Sequence, residues 1–152
     1  MAERHSGRLR GRDAQDLAPP REARSRARRP RCPQPEWVAA NAANPLRDWD
    51  GLEHIPRTAY RKAIAQYKAT RDAFLAEVTG GEDHGTIVEI GRAFGAGFNA
   101  LDSRTPFIET VEREELFNAL DFLADEAQTA AGRALTAARA ALIEGANSSR
   151  DW

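Results

Sequence analysis

Large apolar side chains recur every three or four positions through most of the chain after Pro56. Such a stripe is typical of α-helices that bury one face. The first predicted helix has Thr58 as its N-cap, two residues after Pro56, and runs to about Val78. Gly80 and Gly81 then end it, because glycine accepts the backbone conformations found at helix C-termini.

Further helices follow at the same spacing. The second is predicted from near Thr86 to near Leu101, and the third begins near Thr110. The Ala-rich residues 129–145 favour helix strongly. They are predicted to form a fourth helix, or to continue the third if Gly132 does not interrupt it, and their small side chains favour a peripheral position. The pattern therefore predicts an all-α fold, a three- or four-helix bundle.

The same pattern divides the chain into three parts. Residues 37–146 contain enough apolar side chains for one small helical domain. Residues 1–36 contain only two leucines as large aliphatic side chains after Met1. Ordering them would cost roughly 1–2 kcal/mol per residue with little burial to offset it, so we predict a disordered arm. Residues 147–152 are predicted to fray, with Trp152 as a loose end.

Charge is split between the arm and the domain. Residues 1–36 carry ten Arg and five acidic residues, a net charge of +5, whereas residues 37–152 carry twelve Lys or Arg and eighteen acidic residues, a net charge of −6. A basic arm can neutralise phosphates, and without interleaved aromatic residues it would not read sequence. The arm's candidate nucleic-acid contacts are Arg24, Arg26, Arg28, Arg29 and Arg31.

Targeting signals are missing from the sequence. No apolar run of about 7–15 residues lies near the N-terminus, as a secretory signal requires, and no stretch approaches the roughly 20 apolar residues of a membrane span. The single Cys32 has no intrachain partner, which is compatible with the cytosol. We therefore expect a cytoplasmic protein without a membrane partner. The arm's composition is also typical of translated upstream sequence from a GC-rich genome, so a later start is the alternative to a native arm.

Arg71 falls within the apolar stripe of the first predicted helix. An unpaired buried charge costs several kcal/mol, so the guanidinium either reaches solvent at the rim of the bundle or pairs with a carboxylate. The connector into the third helix must pass the end of the first. The predicted partners of the Arg71 guanidinium are therefore Asp102, Glu109 or Glu112.

Two glycines lie one turn apart beside the inner face of the second predicted helix. Gly91 and Gly95 each cost that helix about 1 kcal/mol relative to alanine. A use that offsets this cost is expected, and the simplest one is the close approach of a neighbouring helix.

Phe122 departs from the pattern of the third predicted helix, because it points about 160° away from the apolar stripe. An outward aromatic ringed by polar and acidic side chains is typical of a binding anchor, although cover by Trp37, Trp49 or the last helix is the alternative. The candidate partner-binding residues are Phe122, Glu115, Asn118, Asp125 and Glu126. We therefore predict a small interaction module, immunity-like or adaptor-like, that binds a basic partner protein. The alternative is a nucleic-acid-associated protein that uses the Arg-rich arm.

Residues that bear catalytic chemistry are few. His54 and His84 each lie near acidic residues, but no two histidines have the spacing of a helical metal site. The chain contains neither a phosphate-binding loop nor a nucleophile elbow. We therefore expect no catalytic residue, no metal site and no cofactor. A small metal-dependent enzyme built on His54 and His84 is the minor alternative.

Overall fold

A computed structural model describes residues 42–152 of the chain. These residues form four α-helices and no strand, which confirms the predicted all-α fold. The helices are α1 (Arg57–Gly80), α2 (His84–Asp102), α3 (Thr110–Ala131) and α4 (Thr136–Ser149). The predictions for the arm, its arginines and Trp37 concern residues outside the described part.

Local signals set the helix ends. Pro56, rather than Thr58, is the N-cap of α1. At the start of α2, the Asp83 carboxylate accepts the backbone N–H of Thr86 at 2.8 Å, which satisfies one of the free amides of the first turn. Gly132 has a φ of 65°, a left-handed conformation that glycine adopts without strain, and it ends α3. α3 and α4 are therefore separate helices.

Consecutive helices form two antiparallel hairpins, α1 with α2 and α3 with α4. In the first hairpin, the Gln66 amide of α1 donates to the Ala93 carbonyl of α2 at 3.2 Å. In the second, Arg139 near the start of α4 pairs with Asp121 and Asp125 in the middle and second half of α3. The two hairpins then pack against each other so that α2 lies beside α4 and α1 beside α3.

The contact between α2 and α4 brings their backbones together. A Cβ atom added to Gly91 would lie 2.1 Å from the Leu142 carbonyl oxygen, and one added to Gly145 would lie 2.0 Å from the Val88 carbonyl oxygen. Only a hydrogen atom fits at these two positions. The predicted close approach at Gly91 and Gly95 is confirmed. The prediction of a peripheral α4 is wrong, because its small side chains are what allow this approach.

An aromatic cluster closes the end of the bundle where α2 finishes. The Trp49 ring lies edge-on to Phe107 at 5.8 Å and to Phe98 at 6.5 Å between ring centroids. Trp152 continues the cluster, 6.5 Å from Phe98 and 5.9 Å from Phe117. Edge-to-face pairs at these distances stabilise aromatic side chains beyond the area that they bury. The cluster thus joins the segment before α1, the end of α2 and the C-terminus.

The C-terminus differs from the frayed end predicted for residues 147–152. α4 continues to Ser149, and the Asn99 side chain donates to the Ser149 carbonyl at 2.7 Å. Trp152 is only 8% exposed, and its indole N–H donates to the Gly95 carbonyl at 3.3 Å. A single aromatic after a polar stretch has no periodicity, so the sequence pattern gave no sign of this contact.

Replacement of Gly145 by alanine tests the backbone contact between α2 and α4. The added methyl group would overlap the Val88 carbonyl, so the helices must separate, and we expect a loss of about 1–3 kcal/mol or more of unfolding free energy. Gly80→Ala is the matched control, since a Cβ there meets nothing within 4 Å. Urea denaturation measures the unfolding free energy of both variants. Equal stabilities for the two would contradict the close contact.

Candidate functional site

Phe122 lies midway along α3 and faces outward. Its side chain is 43% exposed and, unlike Phe117, it does not pack against the core. Trp49 does not cover it, because that indole is buried within the aromatic cluster. Val111, three helical turns earlier on the same side of α3, is 61% exposed. The two apolar side chains place exposed hydrophobic surface on an otherwise polar helix face.

Glu126, one turn beyond Phe122, is held by Arg71 of α1. The Arg71 Nε donates to both Glu126 carboxylate oxygens, at 2.9 and 3.2 Å, and Nη2 donates to the same group. This bidentate pair is the strongest geometry available to an arginine and a carboxylate. Both side chains are about two-thirds buried, so the pair fixes the position of the Glu126 carboxylate at the edge of the candidate site.

The predicted partners of Arg71 are wrong because α1 and α3 run in the same direction. Arg71 therefore lies beside the last third of α3, whereas Asp102, Glu109 and Glu112 lie at or before its start. Asp102 instead accepts the backbone N–H groups of the two residues before Glu109, both at 2.8 Å. The register of two helices that are far apart in the sequence decided this pairing.

The other acidic residues of the predicted site also have intrachain partners. Asp125 pairs with Arg139 of α4, and Glu115 accepts the indole N–H of Trp49. Asn118 is exposed, and its side chain makes no hydrogen bond within residues 42–152. The structure thus brings the predicted residues onto one side of α3, but it ties the three carboxylates to the fold.

Glu114 is an exposed acid near this surface that the sequence pattern did not single out. It lies one turn before Asn118 and has no ion pair within the described residues. Because no cation is paired with it, its carboxylate contributes more to the local negative field than Asp125 or Glu126, whose charges are offset by arginines. Only the contacts of its neighbours distinguish it, and those contacts depend on the tertiary structure.

A second carboxylate contact lies at the start of α3, where the segment before α1 crosses it. His54 Nε2 lies 2.7 Å from the Glu112 carboxylate, which is almost fully buried and also accepts the backbone N–H of Glu109 at 3.1 Å. Burial raises the pKa of Glu112, but the hydrogen bonds from His54 and the backbone outweigh it and leave that pKa below its usual range. The pair secures this segment to α3.

Tyr67 lies beneath the Arg71 and Glu126 pair. Its hydroxyl is buried and has no hydrogen-bond partner among the described residues. Burial and the Glu126 charge together raise the pKa of Tyr67 to about 12, and the Arg71 charge opposes them. The tyrosine is therefore neutral at physiological pH, and it is a buried neighbour of the Arg71 and Glu126 pair.

The two histidines considered for a metal site are far apart. His54 precedes α1 and contacts Glu112, whereas His84 follows α1 and lies 3.9 Å from Glu144 of α4. The 24 residues of α1 separate them by about 36 Å at 1.5 Å per residue. Within residues 42–152, no group of three or more His, Cys, Asp and Glu side chains is placed to hold a metal ion.

No protein-family model, curated protein or solved structure matches the chain. Of the helices in the described part, none has the length and apolar character needed to cross a membrane.

Removal of the Arg71 side chain tests the link between α1 and the candidate site. Because the pair is bidentate but partly exposed, we expect Arg71→Ala to lower the unfolding free energy by about 1–2 kcal/mol. Arg61→Ala on the same helix is the control, since Arg61 is exposed and unpaired within residues 42–152, and its loss should be under about 0.5 kcal/mol. Urea denaturation is the measurement. A double-mutant cycle with Glu126→Ala that gives no coupling would contradict the pairing.

Proposed function

We propose that this chain is a small cytoplasmic protein-interaction module, immunity-like or adaptor-like, that binds a basic partner protein through the outward face of α3. The observation that carries the proposal is the exposure of Phe122. A phenylalanine that is 43% exposed in the middle of a helix leaves apolar surface in contact with water. Such a side chain is well suited to anchor a partner that covers it.

The surroundings of Phe122 favour a positively charged partner. Glu114 is uncommitted, and the carboxylates of Asp125 and Glu126 still have acceptor positions that one arginine each does not fill. Their intrachain arginines also hold these carboxylates in place, so the two side chains would lose less conformational entropy when a partner binds. The domain's net charge of −6 adds a field that attracts a basic surface.

The shape of this surface suits an amphipathic helix from the partner. An apolar residue of that helix would cover Phe122 and reach toward Val111, while flanking lysines or arginines would meet Glu114 and Asp125. Such an interface has an apolar centre and a charged rim, which is the usual arrangement of protein interfaces. The rim charges would chiefly raise the association rate, and the aromatic centre would supply most of the affinity.

Replacement of Phe122 by alanine tests the proposal on a partner recovered by affinity purification from the source organism. We expect binding to weaken by about 2 kcal/mol or more, while the unfolding free energy changes by less than about 0.5 kcal/mol. Isothermal titration calorimetry and urea denaturation measure the two quantities.

Leu52→Ala is the matched control for Phe122→Ala, because Leu52 is a large apolar side chain that is 39% exposed outside α3. It should leave the affinity unchanged. A Phe122→Ala variant that keeps its affinity but loses about 3–5 kcal/mol of stability would assign Phe122 to the core and overturn the proposed site.

A further inference from the structure

The outer surface of α1 carries a set of cations that the fold leaves unpaired. Residues 57–71 contain five Lys or Arg and no acid. One of the five, Arg71, pairs with Glu126. The other four are exposed, and within residues 42–152 none of them makes an ion pair or a side-chain hydrogen bond. These four, the α1 basic surface, are Arg57, Arg61, Lys62 and Lys68.

The placement of these cations is unfavourable for the helix itself. Three of them lie in the first two turns of α1, where the helix dipole favours negative charge, and Arg57 and Arg61 are like charges at i, i+4 spacing. Several arginines elsewhere in the domain are paired with acids, among them Arg92 with Glu89 and Arg133 with Glu82. The α1 basic surface therefore concentrates four cations without internal compensation on one helix.

The spacing of the cations makes a row along the helix. Arg57, Arg61 and Lys68 lie on one flank of α1, and together they span about 16 Å at 1.5 Å per residue. Of the other exposed residues between Arg57 and Lys68, Thr58 and Ala65 are small, and Lys62 is itself a cation. A long anionic ligand could thus lie close to the helix backbone over this distance.

The lack of a large exposed apolar side chain among these residues distinguishes the possible ligands. Insertion into a membrane surface requires apolar residues beside the basic ones, and a protein partner requires a buried anchor. The backbone of a nucleic acid requires neither, because its phosphates are contacted by lysine and arginine alone. The row of cations is complementary to repeated phosphates.

We propose that the α1 basic surface binds the phosphate backbone of a nucleic acid without reading its sequence. This surface lies on α1 and shares no residue with the outward face of α3, and the inference does not depend on the proposed protein partner. The arginines of residues 24–31 lie upstream in the chain and add further positive charge. The structure thus adds a folded contact surface to the arm, which was the only nucleic-acid contact that the sequence pattern predicted.

Removal of two charges from the full chain tests this proposal. Arg61→Gln with Lys68→Gln should weaken binding to a duplex DNA or single-stranded RNA of about 20 nucleotides roughly tenfold at low salt. The slope of log affinity against log salt should fall by about two, one unit for each cation removed. Fluorescence anisotropy measures both quantities. Unrelated sequences should bind equally well.

Two matched variants separate the alternatives. Arg92→Gln with Arg133→Gln removes the same charge from paired arginines and should leave the affinity within about twofold of the parent. The second variant is a full chain in which glutamine replaces the arm's arginines Arg24, Arg26, Arg28, Arg29 and Arg31. Its nucleic-acid affinity should retain a salt-dependent component that the affinity of the α1 variant lacks. Thermal melts confirm that each variant is folded.

The proposal is overturned by any of three results. The parent chain fails to bind either nucleic acid at low salt, or the α1 variant binds as the parent does while the arm variant loses all binding. The third result is stronger binding to a polyglutamate peptide or to vesicles rich in phosphatidylserine than to either nucleic acid, because the surface would then select a different anionic partner.

Discussion

The rest of the fold depends on the backbone contact between α2 and α4. Gly91 and Gly145 have no side chains at the point where each helix meets the other's carbonyl groups, so the two backbones come within direct van der Waals contact. Many weak dispersion contacts add up over such a surface. The contact also places the end of α4 beside α2, where Asn99 binds the Ser149 carbonyl and Trp152 reaches Gly95.

The position of α3 follows from this helix pair. Arg139 of α4 pairs with Asp121 and Asp125, and Arg71 of α1 pairs with Glu126 on the other flank. With both flanks tied to neighbouring helices and its leucines directed into the core, α3 leaves only its outer face uncovered. Phe122 lies on that face, so the exposure of this side chain is a consequence of how the helices are arranged around it.

Sequence periodicity predicted the existence of the helices well, since each buried stripe repeats within one local segment. It also predicted Phe122 as an outward residue and the glycines of α2 as a close-contact surface. It did not predict the partner of Arg71 or the burial of Trp152, because both depend on the register of segments that are distant in the sequence. The role of α4 was missed for a related reason: small side chains give a weak hydrophobic signal even where they permit the closest packing.

Native-state hydrogen exchange tests the central claim most directly, namely that the α2 and α4 pair sustains the fold. We expect the amides around Gly91 and those around Gly145 to exchange only through global unfolding, with protection equal to the full unfolding free energy. The outward amides of α3 near Phe122 should exchange at or below that level. Exchange of the α4 amides through a low-energy local opening, while α2 and α3 stay protected, would contradict the claim.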